Sequence, residues 1–444
     1  MQGCSQLPKI QTADATSPVS AVVLEDARGP LSAAQSKALL GNLTSGKAQA
    51  SALEHHLAAE EAITNTPINS GNKVQLLTDG PATYDAMRIA IISARDHINL
   101  ETYIFDDDDV GRGFAAVLID KQRQGVQVNI IRDSAGTFGT PPEFFKKLTD
   151  SGIYLLEFNP VNPLAASKGW SPNHRDHRKL LIVDGQQAFM GGINISSVHS
   201  GSSFGKKSRR TRNDAAAWRD TDLQLEGPVV AELQKLFVAT WEKQQGQALS
   251  EKNYFPALKP MGSTLVRAIG STPDEPYSQM YAALLSAIGH ARVSVYLTNA
   301  YFAPDPQLLA ALEAAQRRGV DVRLILPSKT DSWLVFHAGR GYYARLLKAG
   351  VKIFELRTAI LHSKTALIDG VWASVGSTNL DWRSFLHNQE LDAIVLGEAF
   401  GKQVQVMFEK DLANSDPITL ADWQRRTLDL RMKEWFARLL EYWL

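Results

Sequence analysis

Two stretches of this chain carry the same residues at the same spacing, and that duplication constrains the fold more than any other feature. His177-Arg178-Lys179-Leu180-Leu181-Ile182-Val183-Asp184 runs on to Gly191-Gly192-Ile193-Asn194, and His362-Ser363-Lys364-Thr365-Ala366-Leu367-Ile368-Asp369 runs on to Gly376-Ser377-Thr378-Asn379. In both copies Lys follows His by two residues, Asp by seven and Asn by seventeen. One chance match of this kind in a chain this long is on the order of one in ten thousand. Two matches at corresponding places in a larger repeat leave no room for coincidence.

The larger repeat is readable around them. In the first copy Val74–Leu77 reads as a strand, 81–93 as a helix, 98–105 as a strand, 111–124 as a helix stopped by Gly125, and 126–131 as a strand. In the second, 277–288 is helical, 293–297 a strand, 306–318 a helix stopped by Gly319, and 322–326 a strand. Gln122-Arg123-Gln124-Gly125-Val126 matches Gln316-Arg317-Arg318-Gly319-Val320. Alternating strands and helices predict α/β architecture. The expected division is a partly helical lead segment over 1–72, one domain over 73–250 and a second over 260–444, with a seam near Gln245–Pro260.

Residues i and i+2 of a strand point the same way, so His177 shares a face with Lys179, and His362 with Lys364. An imidazole beside an ammonium on a rigid strand suits phosphate chemistry: one attacks or protonates, the other neutralises oxygen charge. Asn194 and Asn379 are placed to offer amide donors to the same phosphate, and Ser377 a hydroxyl. The glycines let the backbone approach closely. Asp184 and Asp369 precede glycine in tight turns and read as fixing those turns. Asp220 and Glu390 each lie seven residues before a glycine that closes a strand. They are either surface carboxylates at strand starts or partners that hold an imidazole by its Nδ1–H.

Lys+Arg and Asp+Glu both number 47, and this zero net charge disfavours nucleic acid as a partner. The one cysteine, Cys4, excludes an intrachain disulfide. Gly3-Cys4-Ser5 reads either as a chance cysteine in a loose tail or as a bacterial lipoprotein acylation site. No run approaches the roughly 18 apolar residues of a membrane-spanning helix. Lys206–Arg212 is a basic run suited to anionic headgroups or to plain solvation. Asp106–Asp109 reads as a helix N-terminal feature. Met432, Trp435, Phe436, Leu439, Leu440, Trp443 and Leu444 form a stripe at helical spacing, expected to pack on its own domain, with a membrane interface as the other reading.

The doubled motif resembles that of the phospholipase D superfamily. The flanks Glu101-Thr102-Tyr103-Ile104-Phe105, Asn299-Ala300-Tyr301-Phe302 and Gly376-Ser377-Thr378-Asn379-Leu380-Asp381 are most similar to bacterial cardiolipin synthases. The resemblance spans roughly residues 73–444. It implies two tandem α/β domains, each a mixed sheet flanked by helices, related by a pseudo-twofold axis. It places His177, Lys179, Asp184, His362, Lys364 and Asp369 in the catalytic set, with no metal and no cofactor. One histidine, by resemblance His177, attacks phosphorus and becomes phosphohistidine; the other protonates the leaving alcohol and then deprotonates the incoming one. The implied substrate is phospholipid, with phosphatidylglycerol as donor and acceptor. The rivals are a hydrolase or nuclease using the same site and a non-catalytic membrane scaffold. Attachment to a membrane without spanning it follows, either as a periplasmic-side lipoprotein or at the cytoplasmic face.

Overall fold

Strand order repeats as the sequence does. In a computed structural model of the chain, the described residues are 22–441 apart from 45–46, 62, 65, 163–170, 172 and 202–216. Cys4, the basic run Lys206–Arg212, Trp443 and Leu444 lie outside them. The first half orders its strands Tyr154–Phe158, Gln127–Asp133, His97–Thr102, Leu180–Val183, Gln187–Gly191, Asp222–Glu226 and Ile68–Leu77. The second orders Lys352–Leu356, Asp321–Pro327, Ser294–Asn299, Lys364–Ile368, Trp372–Gly376, Asn388–Leu396 and Thr264–Ser271. In each, three parallel strands are followed by four antiparallel ones. The two series meet where Ile68–Leu77 pairs antiparallel with Thr264–Ser271, through Asn72↔Thr264 and Asn69↔Val266. An antiparallel pair between equivalent strands is what a pseudo-twofold axis produces.

Helices lie where the 3.6-residue periodicity places them, at Gly80–Ser93, Asp109–Arg123, Gln279–His290 and Pro306–Arg317. Asp108 caps the second of these by accepting from the Gly111 N–H at 2.9 Å, so the acidic run is a helix start. Gly125 and Gly319 follow equivalent helices with φ of +88° and +87°, where a side chain would be strained. Along Leu180–Val183 the side chains alternate between two cores. Leu180 and Ile182 join a central core shared by both sheets and the helices Val229–Lys243 and Glu398–Ala413. Leu181 and Val183 join the outer core of the first half.

The structure departs from expectation at both ends of the chain. The strand expected at Val74 begins at Ile68, because its first residues pair with the second half. The lead helices Ala33–Gly41 and Lys47–Glu61 do not stand apart: Leu40, Leu53 and Leu57 join the outer core of the second half. Glu60 is buried and accepts from Arg267 at 2.7 Å and from the Trp372 indole at 3.0 Å. At the other end, Leu428–Leu439 is helical, but the apolar stripe does not pack on its own domain. Met432, Trp435, Phe436 and Leu439 are 69%, 65%, 50% and 62% exposed, while Ala437 on the opposite face is buried against Ala303, Val335 and Ala338.

Candidate active site

Two short strand pairs cross from one half to the other and build the site. Arg175–Asp176 pairs parallel with the start of Asn388–Leu396, and Trp218–Arg219 pairs parallel with Ile360–Leu361. The His177 N–H then donates to the Gln389 carbonyl at 2.9 Å, and the His362 N–H to the Arg219 carbonyl at 2.8 Å. Each histidine therefore lies one residue from the other half's carboxylate. Glu390 Oε2 is 2.9 Å from His177 Nδ1, and Asp220 Oδ2 is 2.7 Å from His362 Nδ1. A carboxylate accepting from Nδ1–H fixes the tautomer and leaves Nε2 with its lone pair. Both carboxylates sit on the histidines, and neither is a surface group.

The lysines complete two equivalent clusters. Lys179 Nζ donates to the His177 carbonyl and Lys364 Nζ to the His362 carbonyl. Lys179 lies over the Tyr103 ring at 5.2 Å and Lys364 over the Tyr301 ring at 6.0 Å. Those rings stand beside the imidazoles, Tyr103 at 5.2 Å from His177 and Tyr301 at 6.2 Å from His362. Arg178, buried between the halves, donates to the Glu390 carbonyl at 3.1 Å and to Thr240 at 2.9 Å. Arg219 anchors the other side on Asp411 at 2.9 and 2.8 Å.

Burial dominates the electrostatics. It pushes His177 down to about 4 against the opposing pull of Glu390, and Lys179 down to about 7. Burial, then Lys364, Lys179 and His177, hold His362 well below its ordinary value. Both lysines and the other imidazole act on His362, as expected if the two clusters surround one site. For Glu390, burial works upward, but His177 and Lys179 outweigh it and hold the carboxyl below its usual range. Burial raises Asp220. The arrangement concentrates cationic and hydrogen-bonding capacity that an anionic phosphodiester would stabilise.

Three expectations for individual residues change. Asp184 and Asp369 are not at the site. Each occupies a left-handed backbone position, φ 52°, in the turn that follows its strand. The Asp184 carboxylate accepts from the N–H groups of Arg95, Asp96 and His97 at 2.8–3.0 Å, and Asp369 from those of Arg292, Val293 and Ser294 at 2.7–2.9 Å. They tie the motif hairpin to the start of the neighbouring strand, as the turn reading requires. Ser377 does not present a free hydroxyl: it donates to Glu390 at 2.6 Å and accepts from the Leu391 N–H at 2.9 Å. Its counterpart Gly192 could bear no side chain, because a Cβ there would lie 2.1 Å from Asp220 Oδ1. The glycine thus makes room for a carboxylate rather than for phosphate.

Asn194 and Asn379 are both buried. Asn194 Oδ1 accepts from the Ile104 N–H at 3.1 Å, and Asn379 Oδ1 has no hydrogen-bond partner among the described residues. Tyr103 and Tyr301 stand in the flanks that carry the resemblance but had no role assigned there, and Trp218 and His199 had none either. The signal for the tyrosines was present, since both follow equivalent strands. Trp218 lies 4.7 Å from the His362 ring and His199 5.6 Å from it. Ligand atoms of His199, Asp220 and His362 lie within 4.8 Å of one another. The Asp220 oxygen that faces them already takes the His362 Nδ1–H, and a cation would compete with the bond that orients the ring. His362 and Asp220 are a hydrogen-bonded pair, and His199 Nδ1 stands 3.7 Å from the shared oxygen.

Comparison with known proteins agrees with this geometry. The family model described as "Cardiolipin synthase, PLD-like domain" matches residues 87–237 and 284–412. A cardiolipin synthase of Geobacillus sp. (strain WCH70) is 34% identical over 382 residues, 85% of this chain and 74% of that protein. Cardiolipin synthase 2 of Bacillus anthracis is 34% identical over 378 residues, 84% of this chain and 71% of that one. The crystal structure of a phosphatidylserine synthase from Haemophilus influenzae Rd KW20 superposes with a TM-score of 0.64 at 11% identity, covering 88% of this chain and 100% of that one, a likeness of fold. The chain belongs to the phospholipase D superfamily, within its cardiolipin synthase, PLD-like family.

Proposed function

We propose that this protein is a phosphatidyltransferase that makes cardiolipin and glycerol from two molecules of phosphatidylglycerol, through a phosphohistidine. The observation that carries this reading is the crossed pair of dyads, His177–Glu390 and His362–Asp220, around which Lys179 and Lys364 gather. His177 Nε2 attacks phosphorus; the bond to glycerol breaks, and its oxygen takes a proton from His362. The hydroxyl of a second phosphatidylglycerol then gives its proton to His362 and attacks the same phosphorus. The N–P bond breaks, and both histidines return to their starting forms. Lys179 and Lys364 stabilise the charge that builds on the phosphoryl oxygens, with Asn194 and Asn379 as further donors. His177 is favoured as nucleophile by family resemblance and by its carboxylate, which Ser377 and Asn388 hold from two more sides at 2.6 and 3.0 Å. His362 must begin protonated, and an arriving phosphodiester anion supplies the field that raises it.

No described helix is long and apolar enough to cross a membrane. The exposed face of Leu428–Leu439 supports peripheral attachment: Leu428, Met432, Trp435, Phe436 and Leu439 project from it, with Arg431, Lys433 and Arg438 also exposed. This helix packs through Ala437 on the segment holding Tyr301, beside His362. Acylation of Cys4 would supply a second anchor, which lasting attachment needs.

The test is incubation with phosphatidylglycerol vesicles and mass spectrometry of the products. Cardiolipin with free glycerol is expected. Phosphatidic acid as the sole product would make water the acceptor and the protein a hydrolase. Nucleotide release from DNA without lipid turnover would sink the lipid reading. Trp435→Glu with Phe436→Glu should reduce co-flotation with vesicles while sparing the fold.

A further inference from the structure

One buried imidazole at the site has no part in the two-step reaction. His199 ends the short turn Ser197–His199, just beyond Gly191-Gly192-Ile193-Asn194, and its side chain is fully buried. Its placement is rigid. Asp108 accepts from the Ser197 N–H at 2.6 Å, and a Cβ on Gly80 would lie 1.8 Å from the His199 carbonyl oxygen. The ring meets Trp218 at 5.1 Å and His362 at 5.6 Å, both nearly edge-on. Yet neither ring nitrogen has a hydrogen-bond partner among the described residues. Nδ1 stands 3.7 Å from Asp220 Oδ2, the oxygen that holds His362. Buried polar groups are almost always paired, so an imidazole with both nitrogens unmatched beside a catalytic carboxylate calls for a reason.

The other half has no such ring. The residue equivalent to His199 is Ser384, whose hydroxyl accepts from the Asn379 N–H at 3.2 Å. Glu390 receives the Ser377 hydroxyl and the Asn388 amide in addition to His177. Asp220 receives the Thr221 N–H at 2.8 Å and His362, and the space where Ser377 would lie is closed at Gly192. Asp220 is short of one donor, and His199 is the donor nearest to it.

We propose that His199 is a positioning residue for His362: as a phosphodiester anion settles, its Nδ1–H closes on Asp220 and keeps that carboxylate ionised and aligned, so that His362 carries the proton the departing alcohol takes. The inference rests on the two-histidine reaction and not on the lipid nature of its substrate. Burial holds His199 down to about 3, so it stays neutral and keeps a single N–H to give. The other ionisable groups facing Asp220 and His199 are His362, Lys364, Lys179, Arg219, Asp222 and Tyr84, with Asp108 behind the turn. Among these, His362 already shares the Asp220 oxygen that His199 faces, and Arg219 is engaged with Asp411.

The test uses the full chain and a series of soluble aryl phosphodiesters of graded leaving-group basicity. His199→Phe keeps a ring against Trp218 and removes the N–H; His199→Asn returns an N–H of similar reach. If His199 acts through the acid, His199→Phe should lose about tenfold in kcat on the poorest leaving group and least on the best, a fraction of what a general acid supplies. The dependence on leaving-group basicity steepens, and His199→Asn restores it. Equal losses across the series, or retention by Phe with loss in Asn, would reduce His199 to packing. A second measurement needs no turnover: with inorganic phosphate bound, NMR of the wild type should show a slowly exchanging His199 Nδ1 proton, and its absence would overturn the proposal. Turnover of the soluble series without turnover of phosphatidylglycerol would remove the lipid reading and leave this one standing.

Discussion

The His177 and His362 sides of the site share their backbone and differ in the company each carboxylate keeps. On the His177 side, Glu390 is held by a hydroxyl and an amide, both neutral and firmly bonded. On the His362 side, Asp220 has a backbone N–H and an imidazole that stops short of it. A nucleophile must return to one position at each turnover. An acid–base group must change its charge, and its carboxylate must follow that change. Duplication thus supplied two equal scaffolds, and the proposed division of labour matches the difference in the residues behind the carboxylates.

The largest effects should come from the histidines. His177→Ala and His362→Ala should each lose at least about a thousandfold in turnover, because nucleophile and acid act as a unit. They should differ in what accumulates. With a good leaving group, His362→Ala traps phosphate on His177, and His177→Ala traps none. Label on His362 instead would reverse the roles and keep the two-step path. The carboxylates come next: Glu390→Gln and Asp220→Asn should each cost roughly a hundredfold or more by losing the favoured tautomer. Crossed pairing predicts that Glu390→Gln slows formation of the phosphohistidine and that Asp220→Asn acts most on poor leaving groups. Pre-steady-state phosphate labelling separates the two, and the opposite pattern would break the assignment. Ser377→Ala should cost several-fold, since Glu390 keeps Asn388, and it should act on the His177 step alone.

The smallest expected effect concerns stability. His177 titrates at about 4 in the fold against an ordinary 6.5, so between those values the unfolded chain binds more protons. Stability should therefore fall as pH drops through that window, by about 1–3 kcal/mol. Thermal melts of wild type and His177→Gln test this, and an equally steep decline in both would assign the loss to other groups.

The architecture was legible because both of its signals are local. The His-x-Lys spacing lies on one strand, and the glycine stops at 125 and 319 end single helices. The turn role of Asp184 and Asp369 was equally local, since Asp-Gly after an apolar run signals a tight hairpin. Which carboxylate serves which imidazole was not readable, because the answer depends on two-residue strand pairs that join positions 213 and 142 residues apart. Ser377 misled for a different reason: its partner Glu390 lies on the adjacent strand of the same half, and nothing in Gly-Ser-Thr-Asn announces it. The C-terminal stripe was read as buried because periodicity reports an apolar face without saying what it meets. The helix turns Ala437 inward and leaves its larger residues outside.

The crossing of Arg175–Asp176 with Asn388–Leu396 bears on how the molecule comes into being during synthesis. When the ribosome has released the first half, the chain already holds His177, Lys179 and Asp220, but the carboxylate for His177 is still unmade. The second histidine, in turn, can be oriented only by a residue completed long before it. Chemical competence thus arrives late and all at once, when strands from the two ends of the translation product have found each other. A chain interrupted before residue 388 would carry His177 without the carboxylate that orients it.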